Sequence, residues 1–192
     1  MRRPTWQLFA GRISRLFGVQ YYDLYYAQRN LFPPHKPIVP SISTKVRLAT
    51  IEDLDGIARR TGGETRKAFD HNIGMGSRCF VAFHKGTVTG YLWVNRQIVE
   101  LVGMHVAKLP TGHSFSHSAF VFPEYRSKKI YQYLRYVVCT EMYESGCLAI
   151  ACLVDKANTR SIDVLKKEGH DFRHAGVLKL PGNKFILLCR AL

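Results

Sequence analysis

The chain contains no apolar run that reaches the roughly 18 residues of a membrane-spanning helix, so no helical span is expected. It also lacks any C-x-x-C and any Cys/His pair at zinc-ligand spacing. No metal site is therefore expected, and the five cysteines (79, 139, 147, 152 and 189) read as reduced, mostly buried thiols of a cytoplasmic protein. Internal repeats are missing as well. Acid is scarce, with 14 Asp+Glu against 28 Lys+Arg and a formal net charge of +14. That imbalance implies an acidic partner: nucleic acid, an anionic membrane, an acidic carrier protein or a phosphorylated ligand. Nucleic acid is disfavoured, because the basic residues are spread along the chain. No helix-turn-helix, zinc finger or aromatic RNA-binding signature accompanies them. What is present is enough apolar material, 46% of 192 residues, for one sizeable core.

Residues 5–17 have the pattern of an amphipathic helix. Trp6, Phe9, Ile13, Leu16 and Phe17 share a face, and Arg12 and Arg15 lie off it. With Arg2 and Arg3 before it, this segment does not read as a secretory signal. It either packs on its own domain or rests on the anionic inner face of a membrane. The tyrosine-rich segment 19–29 predicts a strand at a sheet edge. Four of the eight prolines fall within 32–43, an extended connector. The chain divides accordingly into an N-terminal appendage, 1–44, and a main domain, 45–192.

In the main domain, 45–49 predicts a strand. Thr50 and Asp53 form a capping pattern for a helix with Ile51, Leu54, Ile57 and Ala58 on its apolar face, stopped by Gly62 and Gly63. A weaker helix follows at 64–72, then strands 79–83 and 87–94 joined through His84-Lys85-Gly86. Segment 98–110 is apolar without a clean period. A strand at 117–122, ended by Pro123, leads through a basic turn into a helix with Ile130, Leu134, Val137, Val138 and Met142 on one face. A buried strand at 147–154, a helix at 158–168 capped by Asn158, and a hairpin at 177–180 and 185–188 complete the order. This is an α/β (α+β) chain with antiparallel hairpins and one strand–helix–strand crossover. On the central strand, alternation puts His117, Ala119 and Val121 on one face and Ser118, Phe120 and Phe122 on the other.

The strand–turn–helix at 117–144 is a device for holding an anion. The first backbone N–H groups of the helix lack internal partners, the dipole is positive there, and Arg126, Lys128 and Lys129 add charge of the right sign.

The run Val-Phe-Pro-Glu-Tyr-Arg-Ser-Lys-Lys-Ile-Tyr at 121–131, together with Asn-Thr-Arg-Ser at 158–161, resembles the GCN5-related N-acetyltransferase (GNAT) superfamily over roughly residues 45–190. Val121, Pro123, Tyr125 and Arg126 match the family's first motif, and Asn158, Ser161 and Gly169 match the second. The resemblance implies a mixed, mainly antiparallel twisted sheet flanked by helices. It also implies transfer of an acetyl or other acyl group from acetyl-CoA or another acyl-CoA to an amine on a small molecule or sugar. The phosphopantetheine arm would run between the strands at 117–122 and 148–154, paired with the backbone of Phe120, Val121 and Phe122. The phosphates would sit on Arg126, Ser127, Lys128, Lys129, Ile130 and Tyr131, and Asn158 and Ser161 would contact the arm. A histidine at the offset of His117 removes the amine proton in the arylalkylamine branch, which makes His117 the first candidate base. His113, if the strand reaches it, and Glu100 are further candidates, Glu100 against its reading as a solvated carboxylate.

Two departures stand out. Ser127, Lys129 and Tyr131 occupy positions where glycines are usual, and Leu165 stands where many members place the tyrosine that protonates the departing thiolate. Tyr131 and Tyr133 open the helix, Tyr131 as a wall where glycine would leave space. Tyr143 reads as a core or surface aromatic. The altered loop and the charge of +14 also fit a donor on an acidic acyl carrier protein, which presents one phosphate. The missing tyrosine and glycines fit a non-catalytic binding module as well.

Overall fold

The computed structural model describes residues 20–31, 37–101, 104–182 and 184–188. The helix expected at 5–17, part of the proline connector and Cys189 lie outside the described residues. The elements run β1 (Gln20–Asn30), β2 (Lys45–Leu48), α1 (Ile51–Thr61), α2 (Gly63–Gly74), β3 (Arg78–His84), β4 (Thr87–Asn95), β5 (Ile98–Leu101), β6 (Met104–Lys108) and β7 (His113–Val121). A 3-10 turn (Pro123–Tyr125) leads to α3 (Ile130–Glu144), β8 (Ala149–Asp155), α4 (Thr159–Lys167), β9 (Asp171–Leu180) and β10 (Lys184–Leu188). Eight strands form one sheet in the order β10-β9-β1-β8-β7-β4-β3-β2. Every neighbouring pair is antiparallel except β7 and β8. This is the mixed, mainly antiparallel sheet flanked by helices that the family resemblance implies.

Local chemistry sets the boundaries. Thr50 caps α1 through a full capping box: its N–H donates to Asp53 Oδ2 at 2.7 Å, and the Asp53 N–H donates to Thr50 Oγ1 at 3.3 Å. The apolar stripe of α3 packs Ile130, Leu134, Val138 and Met142 on Phe80, Leu92 and Ile150. Ile162 and Leu165 of α4 cover Ala27, Cys152 and Val154 on the same side. The opposite side is covered by Leu54 and Ile57 of α1 and Phe69 of α2, which pack on Val81, Trp93 and Phe122. Cys79, Cys139, Cys147 and Cys152 are buried free thiols. Among the described residues no helix is long and apolar enough to cross a membrane.

Four expectations are corrected. β1 is not an edge strand: it lies between β8 and β9, paired to both. Leu24 and Tyr26 face one side of the sheet and Ala27 the other, all buried, so a strand covered on both faces loses the polar alternation that marks an exposed one. Segment 98–110, illegible by period, is the hairpin β5–β6, with Val99 packed on Phe115 and Ala151. A register shift between Val99 and Glu100 breaks its alternation. β7 begins at His113 rather than at His117.

Finally, β7 carries a bulge. Trp93 pairs with His117 and Tyr91 with Phe120, so Ser118 and Ala119 together oppose Leu92, with Ser118 in a left-handed conformation (φ 48°). His117 therefore does not share a face with Val121. It shares the face of Phe120, with its ring 6.5 Å from that of Trp93 and 6.1 Å from that of Phe115. Gly90 sits where β4 meets this strand, and a Cβ there would fall 2.7 Å from the Phe120 carbonyl oxygen.

Candidate active site

The loop after β7 keeps a glycine-like path with side chains on it. Ser127 (φ 61°) and Lys129 (φ 59°) both hold left-handed conformations, which cost about 1–2 kcal/mol each for non-glycine residues. Alternation of this kind turns successive N–H groups to one side and makes an anion-binding concavity. Lys129 is the N-cap of α3 with no side-chain cap bond. The N–H groups of the first helical turn, residues 130–132, therefore face outward without a helical acceptor. Among the described residues no carboxylate pairs with the cations around them. Arg126 Nε donates to the Val121 carbonyl at 3.2 Å, and Lys128 Nζ donates to that of Glu124 at 3.0 Å. The Glu124 carboxylate is taken by Arg60 at 2.7 Å.

A cleft of about 590 Å³ opens at this loop. Phe120, Val121, Arg126, Ser127, Lys129 and Ile130 line it, joined by Asn158, Arg160 and Ser161 from the start of α4. Two expected members lie elsewhere. The Phe122 side chain turns into the core beside Leu54 and Trp93, and its N–H donates to the Thr89 carbonyl at 3.0 Å. Lys128 folds back over the Tyr125 ring, 5.3 Å from its centroid.

Behind the cleft is a wedge. The parallel pairing of β7 with β8 covers only His113–Phe115 against Ala149–Ala151. From Ser116 onward the strands part, and the Ser116 hydroxyl donates to the Ala151 carbonyl at 3.3 Å. The space between them is about 160 Å³, and Ala119, Tyr131, Asn158 and Ser161 line both it and the outer cleft. The backbone edges exposed there can accept an added strand.

His117 lines this wedge, and Glu100 stands behind it. His117 Nε2 lies 3.2 Å from the Ser77 hydroxyl and 3.6 Å from Glu100 Oε2, and Nδ1 lies 3.2 Å from the Ser118 hydroxyl. Both side chains are more than nine-tenths buried, which corrects the reading of Glu100 as a solvated carboxylate. The Asn72 amide, nitrogen toward Glu100, donates to Oε1 at 3.2 Å. Asn95 donates to the Ser77 hydroxyl at 3.0 Å. Burial pushes the His117 imidazole down to about 4. The ring is thus neutral near pH 7, with the Glu100 carboxyl group beside it. His113, by contrast, sits where β7 and β8 are still paired, bound to the Thr111 carbonyl at 3.2 Å.

The feature missed in the sequence is Arg135, 2% exposed, which lines the wedge. Its Nε donates to Glu168 Oε2 at 2.8 Å, Nη2 to His170 Nε2 at 3.0 Å, and Nη1 to the Ser116 hydroxyl at 3.4 Å. His170 Nδ1 donates to the Leu165 carbonyl at 3.1 Å, so both ring nitrogens are committed in the neutral form. Burial and the adjacent guanidinium push that imidazole down to about 3. The available signal was Arg135 standing beside Leu134 on the apolar stripe of α3, where an arginine is normally assumed to reach water.

Among the described residues no three His, Cys, Asp or Glu side chains gather as a metal site. No protein of curated function matches the chain. Several solved structures share its fold. A GCN5-related N-acetyltransferase from Sphaerobacter thermophilus matches at 16% identity and a TM-score of 0.61, covering 88% of this chain and 54% of its own. A Drosophila protein matches at 14% identity and a TM-score of 0.60, covering 92% of this chain and 58% of its own. A conserved protein of unknown function from Staphylococcus epidermidis matches at 11% identity and a TM-score of 0.55, covering 93% and 67%. This chain thus spans little more than half the length of the first two. The family model for the acetyltransferase (GNAT) family matches residues 48–170, well over half of the sequence, and the chain belongs to that family.

Proposed function

We propose that the protein is an N-acyltransferase that moves an acetyl or other acyl group from a CoA thioester to an amine on a small molecule or sugar. The observation that carries this reading is the continuity of two compartments. An outer cleft ends in the uncompensated cations and free N–H groups of the α3 start, and an inner wedge ends at a neutral histidine backed by a buried carboxylate. Residues 126–131 suit the donor's phosphates. The parted edges of β7 and β8 suit the amide-bearing arm, and an N–H near Val121 suits the thioester carbonyl. His117 takes the proton of the attacking amine, and Glu100 stabilises the imidazolium. Four buried free thiols fit a reducing compartment.

The test is thermal unfolding with acetyl-CoA and with CoA. Stabilisation that grows with ligand concentration is expected, and none at millimolar ligand refutes the reading. A second reading takes the same arm from an acidic acyl carrier protein. It is favoured by side chains on the left-handed residues Ser127 and Lys129, which narrow the approach for a pyrophosphate. Retention of an acylated carrier protein that weakens with salt supports it, and salt-independent retention removes its electrostatic basis.

A further inference from the structure

The proposed transfer leaves a thiolate in the wedge, and Leu165 there has no proton to give. Of the other wedge groups, the Ser118 hydroxyl lies 3.2 Å from His117 Nδ1 and the Asp155 carboxylate takes the Ala157 N–H. Arg135 is bound to three partners and does not deprotonate. The Ser116 hydroxyl is given to Ala151. Burial pushes the Cys152 thiol up to about 11. The Asn158 side chain caps α4 through the Ser161 N–H at 3.2 Å, and His117 is the acceptor of the amine proton.

Tyr131 remains. It rises from the first turn of α3 and lines both the cleft and the wedge. The Arg135 guanidinium lies 5.7 Å from its ring centroid, and its charge favours the ionised phenol. Cys152 and Glu168 also act on the phenol, and the desolvation outweighs the cation, so it stays protonated at neutral pH.

We propose that Tyr131 is the proton donor to the departing thiolate and that Arg135 is the positioning residue that aims the phenol and stabilises its phenolate. This inference rests on the acyl-transfer reading. The amine nitrogen forms its bond to the thioester carbon, and the carbon–sulfur bond breaks. The amine proton passes to His117, and the phenol proton passes to sulfur. Amide and free thiol leave, and the resulting imidazolium and phenolate exchange protons with water.

The test titrates the thiol of bound CoA, followed by thiolate absorbance against the CoA-free protein, in wild type, Tyr131→Phe and Ser161→Ala. Binding is checked by calorimetry in the same samples. Tyr131→Phe keeps the ring and removes only the donor. Bound thiol should ionise at least about one pH unit higher in Tyr131→Phe than in wild type, a tenfold change, and by a larger step than in Ser161→Ala. In turnover, Tyr131→Phe should lose about a hundredfold in kcat at similar CoA affinity. If all three proteins bind CoA and its thiol ionises alike in each, the proton-donor role is overturned while the transfer reading stands. A shift confined to Ser161→Ala assigns the role to that serine instead. If wild type binds no CoA, both readings fall.

Discussion

The mouth and the floor of this site handle charge in opposite ways. At the mouth, Arg126, Lys129 and Arg160 are exposed, and no carboxylate pairs with them among the described residues. The backbone there holds two strained left-handed residues. At the floor, Arg135, Glu168 and His170 satisfy one another, and His117 lies against Glu100 out of water. Exposed cations can wait for an anion because water screens them. A buried charge has no such reserve and must be partnered by the protein itself. On the proposed reading, the mouth attracts the donor's phosphates and the floor sets protonation states.

The comparison breaks most sharply at Arg135. Arg135→Met should destabilise the fold by about 3–5 kcal/mol, because it leaves the part-buried Glu168 and the buried His170 without their partner. Denaturant melts measure this, and Arg135→Met with Glu168→Gln should recover part of the loss. A loss below about 1 kcal/mol would show that the network is dispensable.

Acid should come next. Burial depresses His117 to about 4 and His170 to about 3. Above pH 6.5 both rings are neutral in the folded and unfolded chains, and their full contribution is present. Below it the unfolded chain takes up protons that the folded chain refuses, so stability falls progressively toward the folded values. The loss should reach a few kcal/mol, at about 1.4 kcal/mol per pH unit per ring. Melts from pH 7 to pH 5, before most carboxylates titrate, read it, and a flat profile contradicts it.

Glu100→Gln should follow, lowering amine-dependent turnover by about tenfold while leaving donor affinity unchanged, since the imidazolium loses its balancing charge. An unchanged kcat would make Glu100 structural only. Smallest is the mouth itself. Lys129→Gly should stabilise the fold by about 1 kcal/mol through relief of the left-handed side chain. It should also weaken CoA binding by about 1 kcal/mol or less through loss of an exposed cation. Tighter CoA binding would show that the lysine obstructs the loop.

The mouth was legible because its devices are local. Pro123 ending a strand, cations opening a helix and Asn158 capping the next can each be read within a few residues. The floor depends on register, which composition does not reveal. One extra residue at Ser118 moves His117 to the opposite face from the one alternation predicts. One shift after Val99 places Glu100 beside that histidine although the segment has no readable period. β1 was recognisable as a strand, but its place inside the sheet rests on pairing with residues more than a hundred positions away. Arg135 was hidden because burial of an arginine depends on partners from β7, α4 and the segment after it.

The most direct test of the account is thiol release from acetyl-CoA in the presence of a panel of amines, with wild type compared against His117→Ala. The account predicts release that rises with amine concentration in wild type and falls about a hundredfold or more in the variant, with CoA affinity unchanged. Equal rates in the two proteins, or no amine-dependent release in wild type, would contradict it.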